Sequence, residues 1–123
     1  MISVLPCFDE QKIKELFEKH SLIVNTNSGC VIAQCGEECL GYCLYDLTQK
    51  GITVRELEPK CDLSLADGIL RSALHVAAER SAMDARYSDT APVDIFKKLD
   101  FIISEEEKTL NINKLFGGCN CKK

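Results

Sequence analysis

What this chain lacks narrows its roles first. It has no Lys/Arg-rich run and its formal net charge is −4, which argues against nucleic acid or an anionic membrane as partner, since both demand a concentrated positive surface. No apolar run approaches the ~20 residues that cross a bilayer. The opening Met1–Glu10 has no basic start and meets acid early, so no export signal is expected and the protein is read as cytoplasmic. In that reducing setting the eight cysteines are expected as thiols rather than disulfides. Cys30, Cys35, Cys39 and Cys43 lie in or beside apolar runs and read as core filler, and no spacing among the cysteines makes a zinc pattern.

What is present suits a single domain. Of the 123 residues 46% are apolar, enough to bury a core without metal or disulfide. One domain is expected over 1–116, with no repeat and no linker, followed by a tail over 117–123 that carries Cys119 and Cys121 and has no apolar anchor. Two thiols at that spacing can share one soft metal ion, yet no nearby Cys or His pair completes a zinc set.

Asp9 is positioned to cap a helix running from Glu10 to His20, with Ile13, Leu16 and Phe17 on one face. After a loop at Asn25–Gly29, the runs Cys30–Cys35, Cys39–Tyr45 and Ile52–Leu57 predict three successive antiparallel strands. Ser64 with Asp67 resembles a capping box ahead of the longest helix, whose stripe is Leu65, Ile69, Leu70, Ala73, Leu74 and Ala77. Met83–Tyr87 predicts a short strand, and strand, helix, strand makes a βαβ unit with locally parallel pairing. Thr90 is expected to cap a last helix with Ile95, Phe96 and Leu99 inward, ahead of a hairpin from Phe101–Ile103 to Leu110–Phe116. Tyr42, Tyr45 and Tyr87 are expected to keep their hydroxyls at the surface. His75 and His20 read as structural.

The expected fold class is therefore mixed α/β (α+β): a mostly antiparallel sheet flanked by helices, with a central βαβ unit and a C-terminal hairpin. This order resembles the GNAT superfamily of acetyl-CoA-dependent N-acetyltransferases, and three stretches carry the likeness. Leu57-Glu58-Pro59 is similar to that family's strand end. Gly68–Arg80 resembles the helix after its pyrophosphate loop, and Ala91–Phe101 resembles its closing helix.

The resemblance implies direct transfer from acetyl-CoA, or another acyl-CoA, to a small-molecule or peptide amine. It places the cofactor against Leu57, Pro59, Ser64, Leu65, Ala66, Asp67 and Gly68. The Leu57 backbone N–H would polarise the thioester carbonyl. Glu56, on the same face as Glu58 by strand alternation, is the candidate base. The family's loop of Gln or Arg, two residues, Gly, one residue, Gly or Ala aligns here with Cys61-Asp-Leu-Ser64-Leu-Ala66, where only Ala66 fits. Asp62 and Asp67 suit the helix dipole but oppose a phosphate by about 4 kcal/mol each at ~4 Å. Phe96 stands where the family often has an acid Tyr, which leaves Tyr87 as the substitute acid. Asp100 replaces the usual Gly, a small change because Asp adopts the left-handed conformation more readily than most residues. Three roles stay open: the transferase, a catalytically silent binding or regulatory module of the same fold, and a thiol or metal handler acting through its tail. A sheet with exposed edges also allows a homodimer.

Overall fold

The computed structural model describes residues 2–117, so Cys119, Cys121 and the rest of the tail after Gly117 lie outside the described residues. Its first element is a strand that the sequence pattern does not announce. Ile2–Cys7 (β1) pairs antiparallel with Ser28–Cys35 (β2), Ile2 opposite Cys35 and Cys7 opposite Cys30. The strand holds Pro6 and shows no clean alternation, features tolerated because it forms the sheet edge. Between them runs α1, Glu10–Lys19, capped as expected by Asp9, whose carboxylate accepts from the N–H groups of Gln11 and Lys12.

Glu38–Leu47 (β3) and Gly51–Glu58 (β4) complete an antiparallel meander. Leu63–Glu79 (α2) then crosses over to Asp84–Tyr87 (β5), which lies parallel to β4. Gly51 has a steric reason to be glycine, because a Cβ there would run into the Asp84 carbonyl of β5. The chain continues through Val93–Lys98 (α3), Ile102–Ser104 (β6), Thr109–Leu110 (β7) and the single turn Lys114–Gly117 (α4). The seven strands order as β1-β2-β3-β4-β5-β7-β6, a mixed and mostly antiparallel sheet with helices on both faces.

Strict alternation along β2 and β3 builds a core on each face. Val31, Ala33, Cys43 and Tyr45 pack under α2 with Ile69, Leu70 and Leu74, while Cys30, Ile32, Tyr42 and Leu44 pack under α1 with Ile13, Leu16 and Phe17. Each fully buried large aliphatic side chain contributes about 1.5–3 kcal/mol, so α2, with Ile69, Leu70 and Leu74 wholly buried, anchors the larger core. No helix among the described residues is long and apolar enough to cross a membrane.

Four local expectations are corrected. The cap of α2 is Asp62, whose carboxylate accepts from the Leu65 N–H, so Ser64 and Asp67 lie inside the helix and Asp67 pairs with Arg71 instead. Asp wins because it stands one residue before the first helical position, where a short acceptor reaches back to the free N–H groups. Thr90 does not cap α3, which starts after Pro92; its hydroxyl donates to the Arg55 carbonyl at 2.8 Å. The closing hairpin is only β6 and β7, after which the chain turns into α4 rather than extending to Phe116. Asn111–Asn113 favours that turn, and the Lys114 ammonium reaches the Leu99 carbonyl at 2.6 Å, a favourable place for a cation at the end of α3. Tyr42, finally, directs its hydroxyl inward onto His20. Asp100 does adopt the left-handed conformation, φ 61, just past the end of α3.

Candidate functional site

A β-bulge in β4 creates the site. Tyr45 pairs with Val54 and Leu44 with Glu56, leaving Arg55 as the extra residue. Without it, Glu56 would share the face of Val54 and be driven into the α2 core. With it, Val54 and Leu57 both face α2, and Glu56 turns to the α1 side opposite Leu44.

The strand pairing ends at the same place. The last β4–β5 pair is Val54 with Tyr87, and the Ser88 N–H closes the ladder on the Val54 carbonyl at 2.9 Å. Beyond it β4 runs on without β5, and its edge groups find side-chain partners: Arg55 carbonyl with Thr90, and Leu57 N–H with Glu56 Oε1 at 3.0 Å. The backbone donor that the family resemblance directs at a thioester is thus held by the neighbouring carboxylate.

Glu56 gathers three donors. Besides the Leu57 N–H, Lys60 Nζ lies 3.2 Å from Oε1 and His20 Nδ1 lies 3.4 Å from Oε2. Lys60 also reaches Glu58 Oε2 at 2.7 Å. On the far side of the imidazole, His20 Nε2 lies 2.6 Å from Tyr42 Oη. The result is a chain of phenol, imidazole and carboxylate with an ammonium bridging two carboxylates. The side chains of Glu56 and His20 are 10% and 16% exposed, whereas Lys60 is 47% exposed, so the ammonium is the component free to leave. Burial first, and then the charges of Glu58, Glu56 and Cys39, push the Tyr42 hydroxyl up to about 12, so it stays protonated at neutral pH. For Lys60 partial burial works to lower the value, but the hydrogen bonds and charges of Glu58 and Glu56 outweigh it and hold the ammonium above its ordinary range.

The cluster opens onto a cleft of about 440 Å³ between α1 and the ends of β3 and β4, lined by Lys12, Leu16 and Lys19 on one side and Tyr42, Glu58 and Pro59 on the other. A second cleft of about 330 Å³ lies elsewhere, among Cys7, Phe8, Ser28, Gly29, Tyr45 and Arg80. Neither is lined by residues 61–68.

Of the residues singled out from sequence, Glu56, Leu57 and Pro59 meet at or beside this cluster. Ser64, Leu65, Asp67 and Gly68 sit on the first turns of α2, Ser64 and Gly68 exposed, while Ala66 is fully buried. Tyr87 belongs to the core on the α2 face, its ring 5.3 Å from that of the wholly buried Phe96, so it is not brought together with the Glu56 carboxylate. Sequence reasoning passed over His20 and Tyr42 as chemistry. The available signal was that each polar group falls on an apolar face, His20 one turn after Leu16 and Phe17 and Tyr42 two before Leu44.

These features define a mixed α+β domain with a largely buried carboxylate, imidazole and phenol beside an open strand edge. The chain matches no protein-family model and no curated protein.

Proposed function

We propose that this protein is a cytoplasmic acyl-CoA-dependent N-acyltransferase of the GNAT kind, acting on the amine of a small molecule or peptide. The observation that supports this most is the position of Glu56: a nearly buried carboxylate on β4, past the end of β5, bonded to the Leu57 N–H, the backbone donor that the family resemblance directs at a thioester carbonyl. In this reading the Leu57 N–H exchanges Glu56 for the thioester oxygen, and the freed carboxylate takes the proton of the attacking amine. The new C–N bond forms as the C–S bond breaks. The thiolate, with an intrinsic pKa near ~8.5, leaves without a dedicated acid and is protonated from solvent. His20 and Tyr42 hold Glu56 and offer its proton a route towards the cleft that would receive the amine.

A second reading, a catalytically silent module of this fold, draws support from the occupied donors: Asp62 holds the Leu65 N–H and Glu56 holds Leu57. A thermal shift with acetyl-CoA separates the two. Cofactor at 100 times its Kd should stabilise the fold by about 2.7 kcal/mol, several degrees at this size. An unchanged melting temperature at millimolar acetyl-CoA would favour the silent module.

A further inference from the structure

We propose that His20, Glu56 and Glu58 form a binding site for a first-row transition-metal dication, with Lys60 supplying the positive charge at that place in this structure. The inference goes beyond acyl transfer and does not rest on it. One ligand atom from each of the three residues falls within 4.8 Å of the others. Ligands about 2.1 Å from a tetrahedral ion stand about 3.4 Å apart, and His20 Nδ1 already lies 3.4 Å from Glu56 Oε2. Glu58 is the partner that must move, and it borders the open cleft, where a side chain has room to turn.

Two further observations point the same way. Tyr42 Oη, at 2.6 Å from His20 Nε2, is the kind of outer partner that fixes the tautomer of a ligating imidazole: with an ion bound, Nε2 would donate to the phenol oxygen and the Nδ1 lone pair would turn to the ion in place of the proton it now offers Glu56. The two carboxylates also require a cation between them, a need now met by an ammonium on a long, half-exposed stem. A dication would balance both carboxylates and leave His20 neutral, and one imidazole with two carboxylates suits Mn²⁺, Fe²⁺ or Zn²⁺ better than Ca²⁺. The open coordination position would face the cleft lined by Lys12 and Lys19, where an anionic or carbonyl ligand could complete it.

Mn²⁺ is the appropriate probe, because it is paramagnetic and, unlike Zn²⁺, has little affinity for exposed thiols such as those of Cys39 and Cys61. Binding to the full chain is read from loss of the free Mn²⁺ electron-paramagnetic-resonance signal. One site is expected in the wild type, weakened at least about tenfold in His20→Ala and Glu58→Gln and weakened about tenfold in Tyr42→Phe. Lys60→Met, which removes the competing ammonium, should tighten it by about tenfold. A readout that needs no variant uses the two histidines of the chain: substoichiometric Mn²⁺ should broaden the ring signals of His20 and leave those of exposed His75 sharp. The proposal is overturned if Mn²⁺ stays free at millimolar concentration in both wild type and Lys60→Met, or if His20 and His75 broaden alike.

Discussion

His20 Nε2 and Tyr42 Oη lie 2.6 Å apart across 22 residues of sequence, joining the end of α1 to the middle of β3. Through His20 Nδ1 the contact continues to Glu56, so the helix end, two strands and the bulge in β4 share one polar cluster. Its consequences can be measured one residue at a time.

Glu56→Gln keeps the shape of the side chain but removes the base. Acetyl transfer to a competent amine should fall by about 10²–10⁴, while the thermal shift with acetyl-CoA persists. Unaltered transfer in steady-state assays would remove Glu56 from the mechanism.

Asp62→Asn separates helix capping from charge. Asn and Asp are nearly equal caps, so the unfolding free energy from urea titration should move by no more than about a few tenths of a kcal/mol. Loss of the negative charge at the start of α2 should raise affinity for acetyl-CoA. If calorimetry shows the same or weaker binding, the phosphates do not lie at this helix end.

Gly41→Ala tests the packing below the site. A Cβ there would stand 2.5 Å from the Glu58 carbonyl oxygen and 2.6 Å from Pro59 Cδ, forcing the end of β4 outward. Destabilisation of about 1–3 kcal/mol is expected, with weakened contacts between Glu58 and Lys60. A variant as stable as wild type in denaturant would show that the β4 end is looser than described.

Alkaline pH should unfold the protein in a defined window. Tyr42 and Tyr45 are both pushed up to about 12, burial being the first cause in each. The ordinary tyrosine value is near 10. The folded state therefore holds these protons more tightly than the unfolded chain, so their contribution is whole below pH ~10 and is lost as pH rises to ~12. Burial also pushes up the Cys30 and Cys43 thiols, which add a loss of the same sign beginning near pH ~8.5. Denaturant midpoints should thus fall steadily above pH ~9, and less steeply in Tyr42→Phe. A midpoint flat from pH ~8 to ~11.5 would contradict the burial of these groups.

Much of the fold was legible because its signals are local. Asp9 followed by Ile13, Leu16 and Phe17 announces α1, and the apolar stripe from Leu65 to Ala77 announces α2, since a cap and a 3.6-residue period need no distant partner. β1 was not legible: its exposed Ile2 and Leu5 and its Pro6 form a strand only because the edge of β2 is there to pair with. The candidate site was half legible. Glu56 stood out as a carboxylate on a strand, but Tyr87 was drawn to it by nearness in sequence to the βαβ unit, and the sheet separates the two.

The sequence by itself determined the kind and order of most elements, from α1 through the meander and α2 to α3, because turn chemistry and apolar periodicity act over a few residues. Only the tertiary structure decided which way Glu56 points. One extra residue at Arg55 shifts the register against β3, and strand alternation turns that single-residue shift into a change of face. That change sets the carboxylate beside His20 and Tyr42 rather than under α2, and no property of the residues around position 56 encodes the partner strand against which the shift is made.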